Sequence, residues 1–120
     1  MSFPIINFKA TNTELDMALQ DLVTQKFTSL EKFLGNETDV KCDVEFEKVS
    51  AQQSGAVHRV EANLWLAGTL HRADATEHSF EEAVDEVRNE LDKELRRSND
   101  KKSSLLKRGG RKIKEMLRFG

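Results

Sequence analysis

The side chains of this sequence best suited to act on another molecule are cationic, and they crowd its C-terminal end. Between residues 100 and 120 stand Lys101, Lys102, Lys107, Arg108, Arg111, Lys112, Lys114 and Arg118, opposed only by Asp100 and Glu115, a net charge of +6. Residues 1–99 hold eleven basic and nineteen acidic residues, a net of −8, so the overall −2 describes neither part. An acidic body with a basic tail fits a polyanion approached from one side: RNA, DNA or an anionic membrane surface. The plain alternative is a tail that only keeps the chain soluble. Enzymatic chemistry finds no footing, because no nucleophile–base pair, paired carboxylates or Gly-rich phosphate loop stands out.

The elements that must position these cations are legible from apolar spacing. Ile6, Phe8 and Ala10 alternate with polar residues, which predicts a short first strand. Thr11 and Glu14 have capping-box spacing, and Leu15, Ala18, Leu22, Val23, Phe27, Leu30 and Leu34 then recur at helical intervals up to Gly35. Val40, Cys42, Val44 and Phe46 share one face of a second strand. Residues 57–66 form a third, with Val60, Ala62, Leu64 and Leu66 on its apolar face. Ala67-Gly68 predicts a tight turn into a fourth strand over residues 69–75. Ser79 and Glu82 make a second capping box, opening a helix whose stripe is Phe80, Val84, Val87, Leu91 and Leu95 and which ends near Ser98.

The order is β-α-β-β-β-α, an α+β fold in which both helices pack on one face of a four-stranded sheet. If the first two strands are parallel neighbours, the crossover between them is right-handed. Residues 1–99 form one domain and residues 100–120 a basic, flexible tail. Interrupted by Ser103-Ser104 and Gly109-Gly110, that tail is nonetheless apolar at Leu105, Leu106, Ile113, Met116, Leu117 and Phe119. A helix over residues 111–119 could form on RNA or lie on an anionic membrane.

This layout separates two faces. The open face of the sheet presents Asp43, Glu45 and Glu47 beside Lys41, and Arg59, Glu61, Asn63 and Trp65 on the next strand, a poor surface for phosphates. On the helical side Lys26 and Arg88 flank the apolar stripes, with Lys32, Lys93, Arg96 and Arg97 further out. Basic residues at the end of the last helix also complement the helix dipole, by about 0.3–1 kcal/mol each. A strand turn near Gln53 sets His58 opposite Lys48, roughly six residues or ~20 Å from Cys42. No metal or other cofactor is therefore expected. Cys42, the only cysteine, reads as a small buried core residue.

Residues 12–97 resemble the ribosome hibernation-promoting factors, also called ribosome-associated inhibitors, in their short, sigma-54 modulation protein-like form. The likeness is carried by Leu22 to Phe33, with its Lys-apolar-x-x-Leu-x-Lys-aromatic rhythm. It continues through residues 57–66 with Leu70-His71-Arg72-Ala73-Asp74, and through Ser79 to Arg97. The resemblance implies the same β-α-β-β-β-α fold. It also implies a protein that binds the small ribosomal subunit in the channel of mRNA and tRNA near the decoding region, inhibiting translation and protecting idle ribosomes. By match, Lys26, Lys32, Lys93, Arg96 and Arg97 take an rRNA-binding role, and Arg72 joins them. Asn89 and Glu90 stand where many members are more basic, which leaves the tail to make up attraction. Longer members carry a further domain that pairs ribosomes; 120 residues are too few for it, so a monomer on single ribosomes is expected.

The alternative reading is a protein-interaction or membrane-surface module built on the amphipathic tail. No apolar run reaches the roughly 20 residues that span a bilayer, and the N-terminus lacks the pattern of a signal peptide, which points to the cytoplasm. Deleting residues 100–120 is expected to weaken binding to RNA and flatten its salt dependence. Each lost phosphate contact removes roughly 0.7–0.9 from the slope. Equal affinity and slope in the truncated chain would make the tail a spectator.

Overall fold

The computed structural model describes residues 3–50 and 55–107, the last seven by backbone only. Four strands, β1 (Ile6–Thr11), β2 (Val40–Lys48), β3 (His58–Leu66) and β4 (Thr69–Glu77), form one sheet in sequence order. β1 runs parallel to β2, and the other neighbours are antiparallel. Helix α1 (Met17–Phe27) passes into a 3-10 segment (Thr28–Phe33), and α2 (Phe80–Lys107) closes the fold. The β-α-β-β-β-α order and the α+β architecture are those the apolar periodicity predicts. Lys48 pairs with His58 and Cys42 with Leu64, the register inferred from a turn near Gln53.

One face of the sheet carries the core. Cys42, Val44, Phe46, Val60, Ala62 and Leu64 are buried against Val23, Phe27 and Leu30 from the first helical stretch and Ala83, Val84, Val87, Leu91 and Leu95 from α2. Phe46 stacks on Phe8 and meets Phe80 edge-on at 5.5 Å between centroids. Burial pushes the Cys42 thiol up to about 12, with Asp43 adding to the shift. Cys42 is thus an inert filler of the core.

Three boundaries differ from the sequence reading. The first helix starts at Met17, not after Thr11, because Asp16 caps it by accepting from the Ala18 amide at 2.7 Å. Thr11 is still in β1, its hydroxyl donating to Glu45 across the strand pair, and Asn12 turns the chain with φ +58°. Leu15 therefore lies before the helix and is 41% exposed, and Ala18 is exposed too.

The last turns of that helix tighten into 3-10 geometry where hydroxyls compete with backbone donors for carbonyls. Thr24, Thr28 and Ser29 donate back to Gln20, Thr24 and Lys26. The third difference is at the end of α2. Its apolar stripe stops at Leu95, yet the helix continues through Lys107, so it overhangs its last core residue by twelve residues, about 18 Å. Its start is as expected, with Ser79 Oγ accepting from the Glu82 amide at 3.2 Å.

The β3–β4 turn is a two-residue hairpin with positive φ at both positions, Ala67 (+51°) and Gly68 (+82°). A Cβ is disfavoured there, although Asn tolerates the conformation better than Ala. Ala67→Asn is expected to stabilise the fold by about 1 kcal/mol, and Ala67→Val to destabilise it by a similar amount. Urea unfolding midpoints read both, and an order reversed from this would contradict the turn geometry.

Candidate nucleic-acid interface

The cations singled out from sequence fall on three elements. α1 and the 3-10 segment supply Lys26 and Lys32, α2 supplies Arg88, Lys93, Arg96 and Arg97, and β4 supplies Arg72. The fold brings four of them together along the seam between the first helical stretch and α2. Lys26 Nζ lies 2.9 Å from Asp85, and one turn further Arg88 Nε donates to Ser29 Oγ at 2.9 Å. Arg88 also reaches Asp92 at 3.4 Å, and Asp92 accepts from Arg96 at 3.1 Å. At the end of the seam Phe33 lies between two cations, Lys32 Nζ 5.3 Å and the Arg96 guanidinium 5.5 Å from its ring centroid.

The spacing of α2 explains this line-up. Residues 85, 88, 92 and 96 recur at intervals of three and four and so share one flank of the helix, the flank turned to α1. Lys93 and Arg97 sit further round and are exposed, Arg97 pairing with Glu94 at 3.4 Å. Beyond them, Glu90 and Glu94 face β4. Burial raises the Glu90 carboxyl, with repulsion from Glu86 and Asp74 adding to it. Glu94 stands 3.5 Å from His71. The Arg96 and Arg97 side chains are more than half exposed, where an ion pair is worth at most about 1 kcal/mol, so a phosphate can take over either guanidinium at little cost.

The charge of α2 is graded along its length. Residues 80–90 carry five acids and Arg88, whereas residues 91–107 carry six basic residues against Asp92, Glu94 and Asp100. The helix therefore has an acidic half and a basic half, the arrangement its own dipole favours. Lys32, Lys93, Arg96 and Arg97 stand at the basic end, and the helical backbone carries Lys101, Lys102 and Lys107 onward in the same direction. Arg108, Arg111, Lys112, Lys114 and Arg118 lie outside the described residues.

Arg72 is not part of this group. It projects from the open face of the sheet, on the far side from both helices, and donates to Glu61 through Nε at 3.0 Å and through a second nitrogen. Arg59 sits among three carboxylates, Glu47 (3.4 Å), Glu61 (3.0 Å) and Asp74 (3.2 Å). Burial alone would raise the Glu61 carboxyl, but the hydrogen bonds from Arg72 and Arg59 outweigh it and hold Glu61 below the ordinary range. Lys41 lies over Trp65 at 5.2 Å, and Asn7 donates to Asp43 at 3.1 Å. Glu47, Glu61 and Asp74 are thus engaged with arginines and Asp43 with Lys41, while Glu45 accepts from Thr11, which leaves the face less anionic than its strand sequences suggest.

Sequence reasoning named the seam cations but not their partners Ser29, Asp85 and Asp92. The only advance signal was the helical interval that sets residues 85, 88, 92 and 96 on one flank. Among the described residues, no group of three His, Cys, Asp or Glu is placed to hold a metal, and no helix is long and apolar enough to cross a membrane.

The family described as Sigma 54 modulation protein / S30EA ribosomal protein matches residues 6–103, which span the sheet, α1, most of α2 and every cation of the seam. The chain belongs to that family. The resemblance read from its helices and strands is thereby borne out. A ribosome hibernation promoting factor of Pseudomonas putida is 27% identical over 101 residues, covering 84% of this chain and 92% of that protein. Two solved structures share the fold. The N-terminal domain of Protein Y from Thermus thermophilus superposes with a TM-score of 0.63 at 22% identity, over 77% of this chain and 96% of that one. A ribosomal subunit interface protein from Coxiella burnetii gives 0.62 at 19% identity, over 79% and 97%. The family match stops four residues short of the end of α2, so the last part of the overhang and residues 108–120 lie beyond it.

The pairing on the open face has a pH signature. A carboxyl held below its unfolded value contributes stability above that value and loses it as pH falls through the folded one. Glu61→Gln is expected to cost on the order of 1–2 kcal/mol at neutral pH, with the difference from the parent shrinking in acid. A difference independent of pH would mean that the two arginines do not act on the Glu61 charge.

Proposed function

We propose that this chain is a non-enzymatic ribosome hibernation factor. It binds the small ribosomal subunit in the channel that mRNA and tRNA occupy, near the decoding region, and so inhibits translation and protects idle ribosomes. The observation that carries this reading is the basic end of the molecule. Lys32, Lys93, Arg96 and Arg97 collect around the second half of α2, and the sequence beyond continues the charge. Such a cationic pole, on a fold shared with ribosome-associated relatives, suits a site walled by rRNA phosphates. The acidic first half of α2 then faces away from phosphate and sets the orientation.

Arg72 belongs to the binding set by family match only, since the fold places it behind the sheet. The protein acts as a monomer on single ribosomes, in the cytoplasm.

Purified protein should co-sediment with small subunits at low salt and inhibit cell-free translation. Ribosome dimers appearing on its addition alone would contradict the monomer reading. Arg96→Glu with Arg97→Glu should lower affinity at least tenfold, given the loss of two cationic contacts and the gain of two repulsive charges. Glu45→Gln with Glu47→Gln should leave it unchanged or slightly stronger. Protein that stays at the top of the gradient but binds anionic liposomes would replace this reading with the membrane-surface one.

A further inference from the structure

Among the cations of the seam, Arg88 is set apart by how fully it is used. Its Nε donates to Ser29 Oγ at 2.9 Å, Nη1 donates to the Asn89 side chain at 3.0 Å, and Nη2 pairs with Asp92 at 3.4 Å. All three nitrogens thus have partners within the chain. The side chain is 26% exposed, against 57% for Arg96 and 77% for Arg97. A guanidinium held in this way has little left to offer a phosphate. Withdrawing it would also strip Asp92, which is mostly buried, of one of its two cations.

The contact joins two elements. Ser29 accepts from Arg88 while its own hydroxyl donates to the Lys26 carbonyl at 2.9 Å. A hydroxyl has one donor and two lone pairs, so both bonds form together. Ser29 stands three residues before Lys32 in the 3-10 segment, and positions i and i+3 of such a helix lie in line. On α2, Asp92 joins Arg88 to Arg96, one turn further on. Lys32 and Arg96, at the two ends of this chain of bonds, are the cations that flank Phe33.

We propose that Arg88 is a positioning residue for phosphate binding: it clasps the 3-10 segment to α2 through Ser29 and Asp92, holds Lys32 level with Arg96, and itself touches no phosphate. The proposal rests on the ribosomal reading above. It divides the cations into one that builds the basic pole and those that bind with it. Burial fixes how α2 is rotated. The clasp fixes where the 3-10 segment, short and poorly hydrogen-bonded by its geometry, stands along that helix.

The test titrates the full chain against purified small ribosomal subunits at several salt concentrations, well below the unfolding midpoint of every variant. Ser29→Ala leaves every cation in place and breaks the clasp, so it should weaken binding roughly fivefold at unchanged salt slope. Were Arg88 a phosphate ligand, the same change would free it and leave binding equal or tighter. Arg88→Gln should weaken binding by the same factor, again at unchanged slope, whereas loss of a phosphate contact would lower the slope by roughly 0.7–0.9. The double variant should be no weaker than Arg88→Gln alone, because both changes break one link. Ser29→Thr, which keeps the hydroxyl, should bind as the parent does. Equal or tighter binding by Ser29→Ala, a lowered slope for Arg88→Gln, or variants that shift only the unfolding midpoint overturn the clasp and leave the ribosomal reading standing. A parent chain that does not bind the subunit overturns both, and shows it before any variant is compared.

Discussion

Docking of α2 on the sheet is the interaction from which the other features follow. Val84, Val87 and Leu91 are fully buried and Leu95 nearly so. Removing each such side chain from water is worth about 1.5–3 kcal/mol, several times any ion pair on the surface. Because those four residues must face the strands, the rotation of the helix about its axis is fixed. Asp85, Arg88, Asp92 and Arg96 are then turned toward the first helix, Glu90 and Glu94 toward β4, and Lys93 and Arg97 outward. No separate interaction is needed to assemble the cationic seam. Hydrophobic burial aims it, and Asp92 holds two guanidiniums at neighbouring turns.

The electrostatic character of the two faces follows from how each balances its charge. On the open face, cations and carboxylates alternate across strands and cancel within a few ångströms, so little field reaches outward. Along α2 the two signs are separated by half the length of a helix, so the field extends further from the surface. A chain with net charge of only −2 can therefore present a distinctly positive end.

Sequence pattern located the sheet well because a half-buried strand alternates strictly, and β2 and β3 do so over nine residues each. It misplaced the end of α2 because periodicity reports burial, and helicity outlasts burial where charged residues of high helix propensity continue the chain. It misplaced the start of α1 because Thr11 and Glu14 have the right spacing for a cap, yet the Thr11 hydroxyl is engaged by Glu45, a residue 34 positions away. The cations of the seam were legible as residues, whereas their grouping was not, since Ser29 and Arg88 meet across 59 positions.

The two-residue turn at Ala67-Gly68 has a consequence for how the chain avoids misfolding. A slip of β4 by one residue against β3 would turn Arg72 and Asp74 inward and expose His71 and Ala73. Burying those charges away from their present partners would cost several kcal/mol apiece. Side chains that add little to the stability of the native pairing therefore weigh heavily against every neighbouring one. The alternating charge of the open face works as a key that admits a single alignment of the hairpin, and with it a single height for His71 beneath α2.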